Sequence, residues 1–162
     1  MAVLRKQHKT YKKPRKSFEA ARIAEEHEII KKYGLKNKRE IWKAETTIAG
    51  IRKQAKSLIT SSQEKQQELI KRLSKIGIIK TDSKIDDILE LTKENWLNRR
   101  LQTLVHSKGL AKTPKEARQL ITHRHISLNN KIVTIPSYVV TLEEEGKINL
   151  LKKQKVKQNG ES

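Results

Sequence analysis

LNRRLQTLVHSKGLAKTPKEARQLITHRHISLNNKIVTIPSYVVTL, residues 97–142, is the stretch whose reading decides the fold. Two short helices followed by a tight strand pair are read from it, beginning at Trp96. Leu97, Leu101, Leu104 and Val105 follow a three-and-four spacing and predict one apolar stripe on a first helix. Arg99, Gln102, Thr103 and His106 are expected on its opposite side, with Arg100 on the flank. Gly109 offers the left-handed residue that ends many helices. Thr113-Pro114-Lys115-Glu116 then predicts a second helix start: Thr113 caps, Pro114 occupies the first turn, and Glu116 reaches back. Ala117, Leu120 and Ile121 give this helix its buried side.

After Thr122-His123-Arg124-His125 the period changes from helix to strand. Ile126-Ser127-Leu128 alternates, Asn129-Asn130 tolerates the positive φ of a two-residue hairpin turn, and Ile132-Val133 predicts the return strand. Pro136 interrupts, and Tyr138-Val139-Val140 is expected as a third strand. Residues 96–142 hold eight Lys or Arg against one acid, Glu116. A small unit with an apolar inside and a nearly all-positive outside is suited to a polyanion.

The order Arg100-Leu101, Val105, Gly109, Thr113, Ala117-Arg118-Gln119, Ile121, His123-x-His125-Ile126, Leu128-Asn129, Pro136-Ser137-Tyr138 resembles the S4 RNA-binding domain. More narrowly it resembles the copy in the universal S4 family of small-subunit ribosomal proteins. Tyr11 to Arg22 and Tyr33 to Trp42 resemble the archaeal and eukaryotic branch of that family, so the likeness spans nearly the whole chain. It implies two helices packed on a small curved sheet, with the helical face on structured RNA. The RNA-facing residues so implied are Arg99, Arg100, Lys108, Lys112, Lys115, Arg118, Gln119, His123, Arg124 and His125. His106, which lies opposite the apolar stripe, and Thr113 join them. Arg118 is the leading one, because Ala117 and Leu120 let its stem pack while a planar fork grips phosphate.

Composition sets the same direction. The 162 residues carry 37 Lys and Arg against 18 acids, a formal net charge of +19, which argues for a nucleic acid partner over an anionic membrane. There is no cysteine, hence no disulfide framework and no thiolate metal site. No apolar run approaches a membrane span or a signal-peptide core, so a cytoplasmic location is expected. The positive charge falls in two blocks, residues 1–60 and 96–142, separated by a neutral stretch over 61–95. Two RNA-facing surfaces are expected from that division.

The expected organisation is α+β and mostly helical: a basic arm over 1–16, a helical subdomain over 17–95, the two-helix and curved-sheet unit over 96–150, and a basic tail over 151–162. The arm has little to bury, so it is expected to be disordered when free and to track phosphates, through Lys12, Lys13 and Arg15. Ser17 is expected to cap a helix over 18–32 that Gly34 closes. Ile41, Ala44, Ile48, Ile51, Ala55 and Leu58 form one seam along a long helix over 39–59. Arg52, Lys53 and Lys56 fall outside the seam and are candidate phosphate contacts, as are Lys38 and Arg39 at its start. Trp42 beside the seam is expected as a packing aromatic. Ser61-Ser62-Gln63-Glu64 predicts a second capping box, for a helix ending at Gly77.

Signals for chemistry are weak. Asp82, Asp86, Asp87 and Glu90 have no nucleophile or base beside them, whereas Ile85, Ile88, Leu89 and Leu91 give that segment a packing role. His123-x-His125 lacks further zinc ligands. Neither a cofactor, a metal nor catalysis is expected, and Glu143-Glu144-Glu145 is expected to face away from phosphate. The resemblance implies a structural constituent of the small ribosomal subunit that binds ribosomal RNA early in assembly. It further implies a place by the messenger RNA entry channel, with neighbouring ribosomal proteins and messenger RNA as partners. An assembly factor that binds precursor RNA and an RNA-modifying enzyme with a similar domain stay open beside it.

Overall fold

The seam read from Ile41 to Leu58 is the axis of the structure. A computed structural model describes residues 9–80 and 82–151, and in it helix α2 runs over Lys38–Leu58 with Ile41, Ala44, Ile48, Ile51 and Ala55 buried. Helix α1 (Ala20–Tyr33) lies against its first half. Helix α3 (Gln63–Ile76) and the short α4 (Ile85–Leu89) close over its second half. Leu69, Leu73, Ile88 and Leu91 complete that core with Ile48, Ile51 and Ala55. Ile29, Tyr33 and Leu35 meet Ile41, Ala44 and Leu97 in a second core. One continuous apolar stripe thus serves two cores, which is why the seam needs its full length.

Helix starts differ from the capping expected. Ser17 makes no cap; α1 begins at Ala20, because the Arg22 guanidinium donates to the carbonyls of Lys16 and Ser17, each at 3.0 Å, and holds them in a turn. Ser62 precedes α3 without a side-chain bond to it. Instead the Gln66 amide donates back to the carbonyls of Leu58, Ile59 and Ser61, at 2.9, 3.2 and 3.2 Å, and satisfies the end of α2. Gly34 and Gly77 do close their helices in left-handed conformations.

The first helix expected in the opening stretch is two. Helix α5 (Lys93–Asn98) carries Leu97 into the α1–α2 core, and α6 (Leu101–Ser107) starts afresh. The break at Arg99-Arg100 has a partner: Tyr138-Val139-Val140, expected as a strand of the sheet, pairs with it through one antiparallel bridge. Leu101 N–H donates to the Tyr138 carbonyl at 2.8 Å and Val140 N–H to that of Arg99 at 3.0 Å. Those residues leave the sheet because Tyr138 N–H turns back onto the Ile135 carbonyl after Pro136.

Helix α7 (Pro114–Thr122) packs on α6. The Thr113 hydroxyl accepts from Glu116 N–H at 3.2 Å, and the Glu116 carboxylate accepts from Lys112 N–H at 2.7 Å, one residue beyond the expected reach. Strands β1 (Ile126–Leu128) and β2 (Lys131–Ile132) form the expected hairpin, with Asn129 and Asn130 at φ of 49° and 62°. The third strand is β3 (Ile148–Leu150), which pairs on the other side of β1 after the one-turn helix α8 (Leu142–Glu145). Leu101, Leu104, Val105, Ala117, Ile121, Ile126, Leu128, Val140 and Ile148 form the third core.

The halves meet closely at Gly34. It has a φ of 60°, and a methyl group there would sit 2.8 Å from Pro114 Cβ and 3.0 Å from the Pro114 carbonyl carbon. Gly50, inside α2, faces open space. Gly34→Ala is therefore expected to lower unfolding free energy by about 1–3 kcal/mol. Gly50→Ala is expected to raise it by about 0.5–1 kcal/mol, read by urea denaturation of both variants.

Candidate nucleic-acid interface

A chain with this charge must separate the cations that hold the fold from those left for a ligand. Glu40, on the first turn of α2, accepts from Arg118 at 3.0 Å and from Arg100 in a short ion pair. Gln102, 1% exposed, donates its amide to the carbonyls of Tyr33, Gly34 and Pro114 at 3.1, 2.9 and 2.9 Å and accepts from Arg118 at 3.1 Å. Burial disfavours the Glu40 carboxylate, but Arg118 and Arg100 outweigh it and hold its pKa below the ordinary range.

This cluster changes the placement expected for Gln102, Arg100 and Arg118. Gln102 faces inward, because a carboxamide donates two N–H groups, shared here among three carbonyls, while its oxygen accepts from a guanidinium. Arg100 is buried and engaged with Glu40. Arg118, the leading RNA candidate, spends its fork on Glu40 and Gln102 with a quarter of its side chain exposed. Arg99 is also held, by Glu145 at 2.8 Å and the Val140 carbonyl at 3.1 Å. No spacing rule reveals Glu40 as their partner, since it stands 60 and 78 residues before Arg100 and Arg118.

The other candidates lie at the surface. Lys108, Lys112, Lys115, Gln119, His123 and Arg124 are exposed around α6 and α7, with His125 half-buried. Thr113 is occupied as the α7 cap, and half-buried His106 places Nδ1 3.2 Å from the Ala111 carbonyl. Arg124 has a φ of 64°, in the region that favours glycine. It closes α7, with His125 N–H donating to the Leu120 carbonyl at 2.9 Å.

On α2, Arg39, Lys53 and Lys56 are exposed and Arg52 half-exposed, while Lys38 pairs with Glu26 at 3.1 Å. The described part of the arm lies along the same helix. Lys12 N–H donates to Thr46 Oγ1 at 3.0 Å, and the Tyr11 and Trp42 rings are 6.0 Å apart. Trp42 packs as expected and donates Nε1–H to Glu26 at 2.9 Å. Lys12, Lys13 and Arg15 thus stand on a partly docked arm; residues 1–8 and the basic tail lie outside the described residues. One cleft brings together Lys9, Arg39, Lys43, Arg100 and Arg118.

One group of acids is gathered elsewhere. Asp82, Asp87 and Glu90 line a groove with Gly77 and Leu142, so α8 and its Glu143-Glu144-Glu145 adjoin the end of α3. Among the described residues no group of three or more His, Asp or Glu stands together to hold a metal.

With this geometry in view, an S4 domain model matches residues 99–145. The chain is 44% identical over 153 residues to the small ribosomal subunit protein uS4 of Methanoregula boonei, covering 89% of this chain and 83% of that one. It is 48% identical to the uS4 protein of Methanococcus aeolicus, covering 88% and 84%, and 47% identical to that of Thermoplasma volcanium, covering 87% and 74%. The chain belongs to the uS4 family. The S4 match begins at Arg99, where α6 is set off from α5. All of the helical half lies outside that match, so membership in uS4 rests on the likenesses that span 87–89% of this chain.

Glu40 therefore joins the S4 unit to the rest of this uS4 chain. Glu40→Ala, which leaves two arginines without their carboxylate, is expected to cost about 3–5 kcal/mol in thermal or urea unfolding. The lowered pKa means the unfolded state takes up the proton first as pH falls. The stabilisation is complete above the ordinary glutamate range and is lost as pH falls through the folded value, so the gap between wild type and variant should narrow in acid.

Proposed function

We propose that this chain is a structural, non-enzymatic constituent of the small ribosomal subunit that binds ribosomal RNA directly. The carrying observation is identity of 44–48% to small ribosomal subunit proteins across most of both chains. Its place is on the ribosome, among ribosomal RNA and neighbouring ribosomal proteins. No helix of the described residues is long and apolar enough to cross a membrane.

The RNA surface we assign runs from the arm through α2 to α7. Lys108, Lys112, Lys115, Gln119, His123, Arg124 and His125 form the S4 part, with Arg39, Arg52, Lys53 and Lys56 on α2 and Lys12, Lys13 and Arg15 on the arm. Arg99, Arg100 and Arg118 stand behind it and position it. Folded RNA is captured by charge at long range and then docked by shape and phosphate contact. A seat beside the messenger RNA entry channel, with messenger RNA in reach, and early binding in assembly are carried by family resemblance alone.

Arg124 offers a test that separates binding from folding. Glycine suits its backbone better, so Arg124→Gly is expected to leave stability unchanged or raise it by up to about 1 kcal/mol. If Arg124 grips a phosphate, the same variant binds small-subunit ribosomal RNA more weakly, with a log–log salt slope shallower by about 0.9. Unchanged affinity and slope in filter binding would remove Arg124 from the interface.

A further inference from the structure

Phe18 is the only phenylalanine of the chain and is 95% exposed. Every other aromatic, namely Tyr11, Tyr33, Trp42, Trp96 and Tyr138, is buried or half-buried. Leaving a phenylalanine in water forgoes about 1.5–3 kcal/mol of burial. This one is also held in place. The turn before α1 is fixed by Arg22 through the carbonyls of Lys16 and Ser17. Arg22 is itself fixed by Glu26, which Trp42 and Lys38 tie to α2 at 2.9 and 3.1 Å. Burial opposes ionisation of Glu26, yet Trp42, Lys38 and Arg22 keep its pKa below the ordinary range. The aromatic thus stands on a braced pedestal, and none of the described residues covers it.

Its surroundings indicate what covers it. Lys13, Arg15 and Lys16 precede it and are exposed, with Glu19 the one acid beside it. Next to Ser17 a cleft is lined by Lys13, Arg22, Asn37, Lys38, Arg39 and Trp42. An apolar protein pocket closing over this ring would strip water from three neighbouring cations. An unpaired base avoids that cost, since it covers the ring while its phosphates meet the cations.

We propose that Phe18 is a stacking platform for an unpaired base of the bound RNA, with the adjoining cleft receiving a phosphate beside that base. The inference deepens the RNA-binding reading and rests on it.

The test is filter binding of the full chain and its variants to small-subunit ribosomal RNA, with a short blunt RNA duplex as control. Phe18 is 95% exposed among the described residues, so Phe18→Ala should keep the wild-type unfolding midpoint. It should lose about 5- to 100-fold in affinity for ribosomal RNA. Its salt slope should not change, and its weak binding to the duplex should match wild type. Phe18→Trp should restore affinity, whereas Phe18→Leu, apolar but without a π face, should resemble the alanine variant. Equal ribosomal RNA binding by wild type and Phe18→Ala would overturn the proposal. If that variant then failed to enter subunits reconstituted with the other ribosomal proteins, the ring would belong to a protein pocket instead. A wild-type chain that does not bind ribosomal RNA would overturn the RNA-binding reading itself, and the platform with it.

Discussion

A single carboxylate, Glu40, holds two arginines across the junction on which the rest of the structure depends. It belongs to the first turn of the long helix, and its partners belong to the S4 unit. Around it, Gln102 ties the end of α1 to the start of α7 through three carbonyls, and Gly34 lets those two ends approach. Carbonyls at a helix end and cations at a bend are costly to bury alone. Here each satisfies the other, so the two halves dock in one register. At that junction one cleft gathers Lys9, Arg39 and Lys43 from the first half with Arg100 and Arg118 from the second.

The same logic places the acids. A net charge of +19 disfavours a compact state through self-repulsion, and the fold answers in two ways. Glu26, Glu40 and the half-buried Glu145 are engaged by Arg22 and Lys38, by Arg100 and Arg118, and by Arg99. Asp82, Asp87 and Glu90 collect in the groove by α8. The exposed cations of the arm, α2 and α7 are then left facing outward.

What was legible in the sequence was local or periodic. The seam of α2, the Thr113 cap, the Asn129-Asn130 turn and the glycine stops at 34 and 77 follow from spacing and backbone preference, and the structure has them. What was not legible depends on distant partners. The chain breaks at Arg99-Arg100 because residues near Val139 pair there. Tyr138-Val140 leaves the sheet for that bridge, and β3 takes the place beside β1. Helical periodicity places Gln102 and Arg118 outward, because it sees apolar faces and is blind to a buried polar junction. Ser62 lost its capping role to Gln66, a competition among equals that no motif resolves. Spacing puts Phe18 at the start of a helix, and only its exposure in the turn sets it apart.

Lysine footprinting on the full chain, with acetylation rates followed as small-subunit ribosomal RNA is added, tests the joined surface most directly. Lys53 and Lys56 on α2 and Lys112 and Lys115 by α7 are expected to become protected together, at the same RNA concentration. Lys80 and Lys84, beside the acidic groove, should stay reactive. Protection of the two basic blocks at separate concentrations, or protection of Lys80 and Lys84 in their place, would contradict it.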